Sequence, residues 1–332
     1  MIYLICFFIS LTILLFVMAN EKAMDLNFIL LIVVVAIGNG GYFARAISKN
    51  LEEAILANTL TYVIGIFAPM LIFLIISGIC QVHIPKVLSV AMYALQILLY
   101  LGVCTVGHFD LFYRSVEYHA DPAGAYLTKT YGPLHTVYLI TLLLYTIAGM
   151  AVGIYSLSRK TSVSRVNVDT VIIIDALAVG IYMLERFIQI KMELMPIVFV
   201  ATLGVMLYLL TKVYTYSIYA NQHIFETRMK QNGFIVFDKT LRYMGSNDRA
   251  KELFPELSLW ELEVKIPGSG GRFNTFLRPD LLSFVSEGAS ASISTGTYEY
   301  KGEKYRYEMG TICAHSGRVR GYTVMIGNEE NI

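Results

Sequence analysis

Ile55 to Ile79 reads ILANTLTYVIGIFAPMLIFLIISGI and carries no charged side chain. As a helix rising 1.5 Å per residue, such a run is long enough to cross a hydrocarbon core of roughly 30 Å. Six further stretches of the same kind surround it: Ile2 to Ala19, Asn27 to Ile47, Val87 to Val106, Leu134 to Leu157, Val168 to Ile188 and Met195 to Thr215. Short polar turns such as Asn20-Glu21-Lys22 and Ser48-Lys49-Asn50 separate most of them, and one long connection runs from Gly107 to Pro133. The first stretch has no Lys or Arg before it, so it reads as a permanent span rather than a cleavable signal.

Composition agrees with this reading. The chain of 332 residues is 56% hydrophobic and 15% charged, leaving too little polar surface for a soluble fold. Charges are sparse up to about Thr215 and recur every few residues from Phe225 onward, so two solvents are implied. A net charge of +1 excludes the strongly basic surface of a nucleic-acid binder, and no nucleic-acid partner is expected. Cys6, Cys80, Cys104 and Cys313 show no pair at zinc or redox spacing and read as buried, inert side chains.

Seven spans place the termini on opposite sides of a membrane. Arg159, Lys160 and Arg165 in the fifth connection, with Lys212, Arg228 and Lys230 at and after the last span, favour the cytoplasm. Lys49, Arg114, Lys129 and Lys191 lie on the opposing face. The expectation is a multi-pass cell-membrane protein with its amino terminus and the Gly107 to Pro133 loop outside and its C-terminal domain in the cytoplasm.

Beyond the last span, Tyr216 to Gln231 has apolar residues at Ile218, Ile224, Phe225 and Met229, a spacing that predicts a connecting helix. Strands follow at Phe234 to Asp238 and Tyr243 to Ser246, and later at Ala291 to Tyr300, Lys304 to Ala314 and Gly321 to Gly327. Between the two groups, Asp248 to Phe254 reads as a helix capped by Asn247. The alternating Tyr298-x-Tyr300 and Tyr305-x-Tyr307 read as sheet surface or a dimer contact. Three regions result: 1–217 membrane, 218–231 connecting helix, 232–328 soluble domain.

The soluble region, with Gly233-Phe234-Ile235-Val236-Phe237-Asp238, Tyr243-Met244-Gly245-Ser246-Asn247, Ala250, Leu253-Phe254 and the closing Gly321-Tyr322-Thr323-Val324-Met325-Ile326, resembles a PAS domain. Gly327-Asn328 stands where that family usually has an aspartate-containing exit motif. The membrane region is similar to the seven-helix sensor region of some bacterial histidine kinases and diguanylate cyclases. The similarity rests on Gly41-Tyr42; on Tyr62, Gly65 and Pro69; on Thr105-x-x-His108-x-x-Phe112-Tyr113; on Tyr131-Gly132-Pro133-Leu134; and on Leu194-Met195-Pro196-Ile197. The implied fold is a membrane all-α seven-helix bundle followed by an α+β PAS-like domain with an antiparallel sheet.

The resemblance implies a sensor, yet the output chemistry is missing. No phosphoacceptor-histidine helix with a nucleotide-binding domain follows, and no Gly-Gly-Asp/Glu-Glu-Phe turn occurs, so no enzyme activity is expected within this sequence. Gly268-Ser269-Gly270-Gly271 lacks the Lys-Ser/Thr of a phosphate loop and reads as a domain loop. A flavin-binding PAS domain would place a cysteine in its central helices, and haem would need an axial histidine; neither is evident, and no cofactor is expected. The chain stops directly after its last strand, at Glu329-Glu330-Asn331-Ile332, so an effector is expected beyond it or on a partner.

Candidate ligand contacts lie in the long loop and one span. His108, Asp110, Tyr113, His119 and Tyr131 belong to the loop, where Glu117 and Asp121 complete a polar mixture suited to a small-molecule ligand more than to a metal. Asp175 sits inside the sixth span, as a charge switch or as one end of an interhelical hydrogen bond to a Tyr or Thr. Glu185 and Arg186 read as snorkelling residues near a helix end. Ile218, Phe225, Met229, Asp238 and Asn247 are the candidate relay positions.

The leading expectation is a homodimeric receptor, paired through the connecting helix and PAS-like domain. It would pass binding of a small-molecule or lipid ligand to a two-component effector. A transporter or channel with a regulatory cytoplasmic domain is the alternative; the near absence of charge in the spans and of any repeat between halves speaks against it. An intramembrane enzyme finds no Ser/His, paired-Asp or His-Glu-x-x-His constellation.

Overall fold

The computed structural model describes residues 1–19, 25–122, 124–158, 164–188, 193–216, 232–286, 293–300, 302–313 and 317–328. The expected connecting helix, with Ile218, Ile224, Phe225 and Met229, lies outside the described residues. Two compact units form, residues 1–156 with 167–210 and residues 157–166 with 211–332.

The apolar stretches are helices: α1 (Ile2–Ala19), α2 (Leu26–Ala46), α3 (Leu51–Ile79), α4 (Lys86–Val103), α5 (Pro133–Leu157), α6 (Arg165–Ile188) and α7 (Met195–Tyr216). All seven contain windows long and apolar enough to cross a membrane. Helix α3 starts four residues earlier than hydropathy suggests because its polar start is capped. The Asn50 side chain accepts from the Glu53 backbone N–H at 2.9 Å, and the Glu53 carboxylate accepts from the Lys49 N–H at 2.8 Å. These bonds satisfy donors that the first turn leaves free.

Helix α3 is the buried centre of the bundle, whereas α1 is largely exposed to the surroundings. Helix α2 packs most closely on it. A Cβ at Gly41 would stand 2.7 Å from the Thr61 backbone nitrogen and 2.9 Å from the Ala57 oxygen, so a side chain there would force the backbones apart. Helix α1 is tied to α2 by the Asn39 amide, which donates to the Cys6 carbonyl and the Ser10 hydroxyl, both at 3.5 Å.

The connection from Gly107 to Pro133 is not a plain loop. It folds into an antiparallel hairpin of β1 (Tyr113–His119) and β2 (Tyr126–Tyr131), registered from Tyr113 opposite Tyr131 to His119 opposite Tyr126. Tyr, Val and Thr favour the pleat, and the interspersed Arg114, Glu117 and Lys129 hide that pattern from a hydropathy reading.

The C-terminal unit carries a five-stranded antiparallel sheet of β3 (Gly233–Asp238), β4 (Tyr243–Ser246), β5 (Ser294–Tyr300), β6 (Glu303–Cys313) and β7 (Val319–Asn328), in the order β4-β3-β7-β6-β5. Between β4 and β5 come α8 (Asp248–Leu253), a 3-10 turn (Pro255–Leu259), α9 (Arg272–Phe276) and α10 (Arg278–Ser286). Period-two alternation turns Ile235, Phe237, Tyr307, Met309, Val324 and Ile326 to one face, where they bury against Phe254, Trp260, Phe273 and Leu281. Tyr305 and Tyr307 therefore belong to the core, and Tyr298 and Tyr300 pack against it; the expectation of sheet surface for these tyrosines is corrected. Tyr298 stacks on Tyr305 and on Phe276, both at 5.2 Å, so these rings fill the sheet's inner side.

The cysteine expectation holds for Cys6 and Cys80, which are buried, and fails for Cys104 and Cys313, which are exposed. Cys104 is the residue that ends α4, and Cys313 follows a register shift at the end of β6; neither position reaches a core.

Candidate functional site

The hairpin closes over one end of the bundle. At its base, the Gly132 N–H donates to the Phe112 carbonyl at 2.9 Å and the Leu134 N–H to the Leu111 carbonyl at 3.0 Å. Near its tip, the Ala125 N–H donates to the Ala46 carbonyl at 3.0 Å, and the Tyr118 hydroxyl to the Ser48 carbonyl at 2.8 Å. Both ends of β1–β2 are thus fastened, one to itself and one to the end of α2.

Beneath it lies a polar and aromatic cluster drawn from five elements and a loop. Asn58 of α3 is its hub. Its side-chain oxygen accepts from the Arg45 Nη1 at 3.3 Å and from the Lys129 Nζ at 2.7 Å, and its Nδ2 donates to the Tyr113 hydroxyl at 3.4 Å. The Tyr113 hydroxyl donates onward to that of Tyr62 at 2.5 Å. Arg45, on the last turn of α2, also pairs through Nη2 with Glu193 Oε1 at 2.8 Å. Among the described residues its Nε has no partner.

Aromatic faces complete the cluster. Lys129 lies 5.9 Å from the Tyr62 ring centre and 5.6 Å from that of Tyr113, and the Arg45 guanidinium lies 5.2 Å from the Tyr42 ring, distances at which cations are drawn to π-faces. The buried His135 ring lies 3.9 Å from Tyr131 and 5.4 Å from Tyr138. Burial pushes the Tyr113 hydroxyl far above the ordinary tyrosine value, so it stays a neutral donor and acceptor. Burial also pushes the Glu193 carboxyl up. The nearby charges of Arg45 and Lys129, with hydrogen bonds from Arg45 and Tyr42, outweigh this and hold it below the usual carboxylate range.

The connection before α7 is fastened to three helices. The Glu193 N–H donates to the Tyr3 hydroxyl of α1 at 3.0 Å, while its side chain meets Arg45 of α2. Glu185 of α6 accepts from the Leu194 N–H, and from the Met195 N–H at 3.1 Å, which caps the start of α7. Glu185 therefore holds a helix start, which corrects its reading as a snorkelling residue.

Of the sequence candidates, Tyr113 and Tyr131 join this cluster. His108 and Asp110 are exposed on the turn after α4, and the His119 ring stacks on Tyr126 at 4.9 Å and bonds the Thr128 hydroxyl at 2.9 Å. Among the described residues no three of the loop acids and histidines gather; His119 and Glu117 approach to 4.0 Å. Asp175 is buried in α6, away from the cluster, where a Cβ at Gly149 of α5 would stand 3.8 Å from its Oδ2. Among the described residues no Tyr or Thr bonds it, so that expected interhelical hydrogen bond is corrected.

Sequence reasoning passed over Arg45, Asn58, Lys129, His135 and Glu193 as site residues. Arg45 carried a signal, since an arginine inside an apolar span needs a partner. In the C-terminal unit, Asn247 is a knot: its Oδ1 accepts from the Phe234 N–H at 2.8 Å and the Ala250 N–H at 3.0 Å, and its Nδ2 donates to the Asn232 carbonyl at 2.9 Å. Asp238 caps the β3–β4 turn by accepting from the Thr240 and Arg242 N–H groups at 2.8 and 2.9 Å.

No curated protein matches the chain. A family model described as the N-terminal 7TM region of histidine kinase matches residues 2–218, a range that takes in all seven helices and the hairpin. With that much of the chain matched, the protein belongs to the family of N-terminal seven-transmembrane regions of histidine kinases, multi-pass membrane proteins of signal transduction.

Proposed function

We propose that the protein is a transmembrane receptor whose ligand binds in the cluster beneath the β1–β2 hairpin. The observation that carries this reading is the burial of Arg45, Asn58, Tyr113 and His135 together at one end of a membrane bundle. Burying so many polar groups is costly and useful chiefly where something polar is to be recognised. With the amino terminus outside, as the basic residues of the fifth connection suggest, the hairpin faces the exterior and a water-borne ligand reaches it.

The signal passes along α7 to the C-terminal domain and by contact to an effector of histidine kinase or diguanylate cyclase type. The order strand, strand, helices and three antiparallel strands supports reading that domain as PAS-like. A homodimer paired through residues 218–231 and this domain would carry the output.

Thermal unfolding of the full chain in detergent against extracellular metabolites and lipids tests this. A saturable stabilisation that is lost in Tyr62→Ala or Tyr113→Phe supports the receptor, since a ligand for the native state raises stability by mass action. Stabilisation unaffected by either variant, or flux of a compound through proteoliposomes, overturns it.

A further inference from the structure

The cluster contains an ion pair whose two members are unequally hidden. Arg45 is buried, with 6% of its side chain exposed, whereas 34% of the Glu193 side chain is open. Arg45 has two of its nitrogens engaged, one by Asn58 and one by Glu193, and among the described residues its Nε is unpartnered. Lys129 brings a second cation to the same amide oxygen of Asn58, which carries only a partial charge. Glu185 is occupied with the start of α7. Of the Arg45–Glu193 pair, Glu193 is the member with the more open side chain.

Glu193 is also where α7 is held. It stands two residues before Met195, the first residue of α7, and its link to Arg45 fastens that start to α2. A free carboxylate arriving from water can bond the Nη2 that Glu193 holds and, unlike Glu193, the neighbouring Nε as well. The side chain it replaces returns to solvent at little cost because it is already partly there.

We infer that Glu193 is a built-in substitute for the ligand: a small carboxylate displaces it from Arg45 and so releases the start of α7 from α2. This rests on the receptor reading and adds to it the ligand's chemical class and the contact whose exchange carries the signal. The apolar part of such a ligand meets the rings of Tyr42, Tyr62 and Tyr113. A purely cationic ligand is disfavoured, because Arg45 and Lys129 already fill the places beside Asn58 and those rings.

The test is chemical rescue in the purified full chain. Glu193→Ala lowers the melting temperature, and acetate or benzoate restores it saturably, while chloride at equal ionic strength and acetamide do not. The double variant Arg45→Gln/Glu193→Ala gains nothing from either carboxylate. Glu193→Gln, which keeps the side chain's size, binds benzoate about tenfold more tightly than wild type because the internal competitor is gone. In wild type, saturating benzoate speeds hydrogen exchange over residues 193–200. Rescue that fails, or that is equal in the double variant, overturns the proposal even when Glu193→Ala folds poorly, because Glu193→Gln must still show the affinity gain. Stabilisation by some other compound that depends on Tyr62 but not on Arg45 sinks this assignment and leaves the receptor standing.

Discussion

Replacing Asn58 by Asp and by Ala should give opposite results. In Asn58→Ala, the Arg45 Nη1 loses an acceptor at 3.3 Å in a buried setting, and the Tyr113 hydroxyl loses a weak donor at 3.4 Å. A buried hydrogen bond to a charged group contributes roughly 1.5–3 kcal/mol. An average interhelical bond in a membrane contributes about 0.6 kcal/mol. Lys129 is half-exposed and recovers water, so its loss is small. The sum is a destabilisation of about 2–4 kcal/mol.

Asn58→Asp instead puts a carboxylate between two cations at 2.7 and 3.3 Å. At an effective dielectric constant of about 20, each such pair attracts by roughly 5 kcal/mol. Desolvation of the new charge removes several kcal/mol, and repulsion by Glu193 removes more, so the net lies within about 1 kcal/mol of wild type. Equilibrium unfolding of the full chain in mixed micelles at pH 7.5 should therefore rank wild type and Asn58→Asp together and Asn58→Ala below both. High salt should narrow the gap. If Asn58→Asp is the less stable of the two, Arg45 and Lys129 do not favour a carboxylate placed between them, and the ligand assignment falls.

Glu193 has its folded-state affinity for protons lowered, so its contribution is present above the unfolded carboxylate value of about 4.3 and is lost as pH falls through the folded value. Stability should therefore fall as pH drops below about 4.3, and Glu193→Gln should flatten that limb of the profile. Gly132→Ala drives a Cβ to 2.3 Å from the Leu111 carbonyl and 2.7 Å from that of Asp110; it should cost about 2 kcal/mol and speed hydrogen exchange across β1–β2. Asn247→Ala removes a helix cap and strands the buried Phe234 N–H, so β3 should lose exchange protection by about 2–3 kcal/mol. Asp175→Asn removes a buried charge that no described residue pairs, and should raise the melting temperature at pH 8 without altering ligand response.

The seven helices were legible because a membrane imposes a length and a composition that single segments must meet alone. The exceptions follow from local chemistry. The start of α3 was hidden by Asn50 and Glu53, polar residues whose role is to cap it. The hairpin was hidden because charged residues interrupt its pleat, and the inward turn of Tyr305 and Tyr307 depends on which sheet face the helices cover. Tyr113 and Tyr131, candidates in the long connection, do stand in the cluster, whereas His108 and Asp110, candidates from the same connection, face solvent.

By itself the sequence determined the membrane class, the number of spans and the order of elements in the C-terminal domain, since hydrophobic length and periodicity are properties of contiguous residues. Only the tertiary structure decided the site. Arg45, Asn58, Tyr113, Lys129 and Glu193 are scattered over nearly half the chain, and nothing local marks one as the partner of another. They meet because α2, α3, the hairpin and the start of α7 end on the same side of the bundle. There, burial makes each charge depend on the others.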